Sequence, residues 1–379
     1  MTSQHLIDLP PFSLEKYILF SSQLSALPKP LINGEAISRY HNDRHAEVYG
    51  QVPSLGIYTF NNILVGPHGT ILSHDGKVYS ALDVLGSQYV RDTILKRIQT
   101  DDVNDALISA INGKAEIVTL PGDDPVVIVN KPGVQVYGHW LLDILPTLWL
   151  FVETSSKHGI DMDKVRYLLP TQAPGWARAM LQLLFNLPPD RIFYYDEGKS
   201  VVKVARAILP SQLRINNYIS PHLDGFVQSI TNWADFSGPA SKKTKLYITR
   251  KNIQFSFVNR SIKNAEQLEE IATQKGFDII DPASLSWVEQ VRLFMGAKAI
   301  VGPFGSGLHN TLFSPESTVS LSLASGYMNW LQSGISAFRG QRMSYLFPVE
   351  EQIKDGRPEA VFDPTAFGSA LDSLLNHIN

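Results

Sequence analysis

From residue 245 onward, short apolar runs alternate with amphipathic stretches of helical period, and that alternation restricts the fold more than any other feature of the chain. KLYIT, FDIID, KAIVG and TVSLSLA read as strands. AEQLEEIATQKG and WVEQVRLFMGA read as helices between the first three, and LHNTLF as a short helix before the fourth. A strand that returns parallel to its neighbour needs a helix-length crossover, so this pattern specifies an α/β layer around a mainly parallel sheet. Both long helices carry start signals, Asn264 with Gln267 and Ser286 with Glu289, and the first is predicted to stop at Gly276.

The same texture appears earlier. VVIVN at 126–130, an apolar helical stretch at 139–152, VRYLLP at 165–170, a helix over 176–185, then RIFYY and VKVARAIL predict a first α/β layer. Ahead of it, residues 55–79 are β-branched and aromatic, punctuated by NN, HG and DG, which predicts antiparallel strands joined by tight turns. The segment DFSGPASKKTK at 235–245 has little apolar content and sets the expected boundary. The expectation is therefore two α/β domains with a cleft between them. Residues 1–235 form an N-terminal domain with a β-rich entry and 236–379 a nucleotide-type C-terminal domain, whose last helix, PTAFGSALDSLLNHI, is expected to cross back over the first. A chain of 379 residues is long enough for two such cores.

Composition narrows the chemistry. The chain has no cysteine, which removes disulfides, thiolate metal sites and cysteine nucleophiles. A formal charge of −3 is far from the basic balance of a nucleic-acid binder, so no nucleic-acid partner is expected. The first residues lack a basic segment followed by an unbroken apolar one, and the most apolar run, HWLLDILPTLWLFV, is interrupted by Asp143 and Pro146 and too short to span a bilayer. These features place the protein in the cytoplasm. The lysines of SKKTK leave peripheral contact with an anionic membrane surface open, and the oligomeric state is not legible.

Ligands of open parallel sheets bind beyond the carboxyl ends of the strands. After KAIVG comes Gly302-Pro303-Phe304-Gly305-Ser306-Gly307-Leu308, where glycines let the backbone approach a ligand and the following helix aims free N–H groups at an anion. Its alternative is a tight turn that binds nothing. Arg250, after KLYIT, and Arg260 ten residues later are placed to share that anion; either is alternatively a solvated surface residue. Glu289 reads as a ribose contact or, three residues after Ser286, as half of a capping box. In GHWLLDILP, His139 and Asp143 are four apart on a helix, so imidazole and carboxylate share one side. They read as a general base with its partner or as a structural pair. Asp161 and Asp163 form D-x-D ahead of a strand and are taken as a loop; no metal ligand set and no cofactor is called for.

YGHWLLDILPTL, LYITR with the NR and NAEQL that follow it, and SWVEQVRLFMGAKAIVGPFGSGLHNTLFSPES together resemble glycosyltransferase family 61. The resemblance implies a GT-B-like enzyme, two Rossmann-like domains facing a cleft, that transfers a sugar from a nucleoside diphosphate donor with inversion and without an obligatory metal. It implies donor binding by Arg250, Gly305, Gly307 and Asn310 and an acceptor side at His139 and Asp143; by their places in the sequence Ser306, Arg260, Asn264 and Glu289 are expected to join the donor site. Bacterial members of this kind imply capsule or exopolysaccharide synthesis, with a glycan or lipid-linked glycan acceptor. This chain departs from the pattern at Phe304, where the family usually has histidine, and at Ala265, with its acid one later at Glu266. The alternative function is therefore a degenerate, non-catalytic nucleotide-sugar or glycan binding protein.

Overall fold

The computed structural model describes residues 6–7, 15–20, 23–25, 31–32, 50–52, 55–79, 85, 88–100, 105–215, 217–236, 244–251, 261–324, 331–354 and 357–378. It is a mixed α/β protein. The chain divides into two compact units, 1–24 with 51–216, and 25–50 with 217–379.

The first unit is built on a ten-stranded sheet. Its centre is the pair Leu55–Val65 and Ser200–Pro210, two eleven-residue antiparallel strands. Val126–Ile128, Arg166–Pro170 and Ile192–Tyr195 follow in parallel from Ser200–Pro210, as the alternating sequence requires. On the other side Leu55–Val65 meets Ile71–Leu72 and then Val78–Tyr79, with turns at His68-Gly69 and at Gly76 that take positive φ. The NN signal, by contrast, makes no turn. Leu55–Val65 runs straight through Asn61 and Asn62, both exposed, and Asn62 absorbs the irregularity at φ 51° while its neighbours stay paired. Phe60, Val65, Ile128, Leu168, Val204 and Leu209 meet in one buried core. Burying such side chains is worth about 1.5–3 kcal/mol each relative to exposure.

The second unit has a six-stranded parallel sheet in the order Asp278–Ile280, Lys245–Ile248, Ala299–Pro303, Val319–Leu323, Arg342–Leu346, Leu31–Ile32. Apart from the last, short strand, this is the doubly wound order 2-1-3-4-5, whose direction reverses between Lys245–Ile248 and Ala299–Pro303. The predicted helices are Ala265–Gln274 and Trp287–Met295, and Gly276 at φ +80° lies just past the first. The helix Leu223–Phe236, left on the N-terminal side by the 235/236 boundary, contributes Trp233, whose ring stacks on Trp287 at 6.2 Å. The closing helix Pro364–Leu375, expected to cross back, buries Phe367, Leu371 and Leu374 in the core of the second unit with Tyr247, Leu268 and Val319. Among the described residues no helix is long and apolar enough to cross a membrane.

Candidate functional site

In the second unit, the strands that flank the reversal of sheet order carry the two predicted anion-binding segments. Lys245–Ile248 leads into Thr249-Arg250-Lys251, and Ala299–Pro303 leads into the glycine loop and the 3-10 helix Ser306–Phe313. Loops leaving such a point diverge and open a crevice. Gly305, at φ +154°, is in a conformation that side chains rarely adopt, and a Cβ there would lie 2.3 Å from Arg250 Nη1. The glycine is therefore what lets the Nη1 end of the guanidinium come up against the loop. Arg250 Nε is buried without a hydrogen-bond partner, and among the described residues no carboxylate pairs with the side chain. Burial lowers its pKa from the ordinary arginine value, but a guanidinium stays charged at neutral pH, so the site holds a cation that no described carboxylate compensates.

The segment around Arg250 is held from both sides. Glu269, nearly buried on Ala265–Gln274, accepts a hydrogen bond from Thr249 Oγ1 at 2.7 Å and an ion pair from Lys251 Nζ at 2.7 Å. Asn310 is fully buried and donates to Gln290 Oε1 at 3.1 Å and to the Gly307 carbonyl at 3.3 Å, while Gln290 donates to the carbonyls of Pro282 and Leu285. Asn310 thus braces the glycine loop from beneath. Ser306 opens the 3-10 helix just after Gly305. Phe304, in place of the histidine of the resemblance, is buried.

Two other predicted donor residues are engaged elsewhere. Glu289 closes a capping box, accepting from Ser286 N at 2.7 Å and Ser286 Oγ at 2.6 Å, and these bonds lower its pKa. Asn264 begins its helix without a side-chain cap. Its amide is instead committed to the main chain of Phe362, donating to the carbonyl at 2.8 Å and accepting from the N–H at 3.2 Å. Neither hydrogen-bonds the glycine loop among the described residues. Arg260 lies outside the described residues.

The first unit holds the His139–Asp143 pair. The apolar helix of the sequence is three segments: Tyr137–His139, a π-helical turn Trp140–Ile144, and Leu145–Ser155. Leu145 N–H donates to Trp140 O, the five-residue spacing of a π turn, and Pro146 follows with no N–H to continue the regular ladder. Such wide turns are frequent at functional sites. Asp143 sits in it, buried, with Oδ2 2.6 Å from His139 Nδ1. Arg214, which the sequence reading did not single out, closes on the same carboxylate, Nε to Oδ1 at 2.8 Å and Nη2 to Oδ2 at 2.7 Å. Burial alone would raise the Asp143 pKa. The Arg214 guanidinium and the His139 hydrogen bond outweigh it and hold the carboxyl well below the usual carboxylate range.

An ionised carboxylate only accepts, so His139 Nδ1 carries a proton in this pair, and in the neutral imidazole Nε2 is the nitrogen with the lone pair. The imidazole is 40% exposed, against 9% for the Asp143 side chain. Gly133 completes the arrangement: at φ +82° it turns the chain into the helix, and a Cβ on it would sit 2.4 Å from His139 Cδ2. Trp140, fully buried, donates from Nε1 to the Val134 carbonyl at 2.6 Å and locks that turn to the helix. Gly133 left one sequence signal, a Pro-Gly turn just before the helix.

Asp161 and Asp163 lie on an exposed turn before Arg166–Pro170, Asp161 Oδ1 accepting from Asp163 N. Among the described residues no three His, Asp or Glu side chains converge as metal ligands.

The family description Glycosyltransferase 61 matches residues 137–321, a span that begins two residues before His139 and takes in Asp143, Arg214, Arg250 and the glycine loop. No curated protein matches the chain. Over residues 137–321, just under half of its length, the chain is thus similar to glycosyltransferase family 61, and the match supports glycosyltransferase activity.

Proposed function

We propose that the protein is an inverting, metal-independent transferase that moves a sugar from a nucleoside diphosphate donor to a glycan or lipid-linked glycan acceptor, in cytoplasmic assembly of a capsular or extracellular polysaccharide. The roles divide between the units in the GT-B manner, with donor binding in the second and acceptor activation in the first. The observation that carries the reading is Arg250, a cation without a carboxylate partner among the described residues, against Gly305 where the sheet order reverses. That is a place for a ligand bearing two or more negative charges.

In this reading Arg250 and the N–H groups at the start of Ser306–Phe313 stabilise the diphosphate as it leaves, which is electrostatic help aimed at developing charge. His139 Nε2 takes the acceptor hydroxyl proton. The acceptor oxygen forms its bond to the anomeric carbon as the bond from that carbon to the donor phosphate oxygen breaks, and the diphosphate departs with the electron pair. A single displacement inverts the anomeric centre. Asp143 is too weakly basic, with Arg214 on it, to be the proton acceptor; its part is to fix the tautomer and orientation of His139.

Ligand-observed NMR with a panel of sugar nucleotides, run with EDTA, tests the donor half. At least one donor is expected to bind the wild type, and Arg250→Ala to weaken it roughly ten- to hundred-fold, as loss of a charged hydrogen bond implies. Equal binding by the variant, or binding that EDTA abolishes, refutes the assignment. Gly133→Ala tests the acceptor half. The added methyl displaces the imidazole and lowers turnover by about 10²-fold, with a stability cost of about 1–2 kcal/mol for the left-handed backbone. Unchanged turnover in a folded variant would show that His139 needs no fixed position.

A second reading, a non-catalytic nucleotide-sugar or glycan binding protein, is favoured by Phe304, which brings no imidazole to the loop. Release of nucleoside diphosphate on addition of an acceptor separates the two, since only the transferase produces it.

A further inference from the structure

The helix that carries His139 also carries an aromatic cluster with an exposed member. Tyr137 and Trp140, three apart and so on one side of the helix, both meet Trp176, at ring-centroid distances of 5.8 Å and 6.0 Å and interplanar angles of 66° and 79°. Trp176 comes from the first turn of the helix Gly175–Phe185, just beyond the carboxyl end of the strand Arg166–Pro170. Its two perpendicular neighbours fix the plane of the indole, and Trp140 is itself anchored through Val134. Yet Trp176 remains 40% exposed, while Ala177, Met180 and Leu181 of the same helix are buried. A tryptophan held rigid and left wet loses little conformational entropy on binding and offers an apolar, polarisable face.

From this cluster we propose that Trp176 is a stacking platform for a pyranose ring of the acceptor glycan, a subsite beside the hydroxyl that His139 deprotonates. The inference rests on the transferase reading for its choice of ligand. The chemistry fits a sugar better than a protein surface. A pyranose presents an apolar face of C–H groups ringed by hydroxyls, matched in size to one indole, and the cluster lies within one helical turn of His139. Polar groups lie close by in the chain: Gln135 is exposed two residues before Tyr137, and Arg178, two residues after Trp176, donates to the carbonyls of Thr171 and Ala173. Leu183, 46% exposed and two turns further along the helix, is the natural control, because a protein-docking stripe would use both residues and a sugar subsite only Trp176.

The test uses the whole chain with cellotetraose, xylotetraose, chitotetraose and β-1,4-galactotetraose as probes, read by saturation-transfer NMR and by tryptophan fluorescence. At least one tetraose should bind the wild type. Trp176→Ala should weaken that binding about ten-fold or more, Trp176→Phe should keep most of it, and Leu183→Ala should leave it unchanged. Equal binding by Trp176→Ala overturns the proposal, as does failure of all four probes to bind the wild type. A concentration-dependent change of mass that both Trp176→Ala and Leu183→Ala abolish also overturns it, in favour of a protein interface. Thermal melting of each variant separates lost binding from lost folding, and Trp176→Phe carries the test if the alanine variant does not fold. Tetraose binding that depends on Trp176 in a protein that transfers no sugar would sink the transferase reading and leave the platform standing. Sugar transfer with an unaltered acceptor KM in Trp176→Ala would do the reverse.

Discussion

On the proposed roles, His139→Ala is expected to lower turnover by roughly 10²- to 10⁴-fold while donor affinity stays near wild type, because the change removes the proposed proton acceptor and leaves the proposed donor-binding residues unaltered. Asp143→Asn gives a loss of the same order. An asparagine can donate to Nδ1 or present its carbonyl, and without the ionised partner the imidazole is no longer held with its lone pair at Nε2. The informative comparison is the double variant. If His139 and Asp143 act as one unit, the pair of changes costs about as much as His139→Ala alone. Multiplicative losses in single-turnover assays would show that Asp143 acts independently, and full activity of His139→Ala would move the base elsewhere.

Arg214→Ala destabilises the first unit by about 3–5 kcal/mol, the cost of leaving a buried carboxylate with its main counter-charge removed. At roughly 2–4 °C per kcal/mol for a unit of this size, thermal melting falls by about 10 °C. Replacing both partners, Arg214→Leu with Asp143→Leu, restores most of the stability and none of the activity, since it removes the charge along with its partner. A melting shift under about 2 °C for Arg214→Ala would mean that solvent reaches the carboxylate freely. The pH dependence has a definite sign. The Asp143 carboxyl is lower in the folded protein than its unfolded value of about 3.9. The stability it contributes is therefore complete above about pH 4 and is lost as pH falls below that. The melting difference between wild type and Asp143→Asn should shrink in the same acid range.

What could be read from the sequence follows the range of the interaction concerned. The strands and helices of the second unit were legible because each is a local pattern, and the crossover rule then leaves few ways to order the sheet. The glycine loop and Arg250 were legible for the same reason, since each follows its own strand. The capping box at Ser286 and Glu289 is also local, and it was already the alternative to a ribose contact. Asn61-Asn62 misled because asparagine tolerates positive φ within a strand as well as in a turn, and the long pairing with Ser200–Pro210 overrides the local signal. Asn264 looks like a cap, but its partner is the main chain of Phe362, 98 residues away. Arg214 was invisible on the same grounds. It lies 71 residues from Asp143, and no spacing or periodicity marks an arginine that will be buried against a carboxylate.

The widened turn at Trp140–Ile144 has a consequence for how this region tolerates change. A π turn holds one residue more than the regular helix would, so it works as a rotary joint. The side of the helix that presents His139 and the side of Leu145–Ser155 that fills the core are set on either side of that joint, offset by about 100° from where an uninterrupted helix would put them. Deleting Ile144 would restore an ordinary helix and keep His139 and Asp143 on one side, but would turn that side by about 100° relative to the side of Leu145–Ser155 that fills the core. A conservative substitution among the apolar residues of this stretch trims one contact, whereas the loss of one codon within these five positions would turn the proposed base away from its place relative to the core.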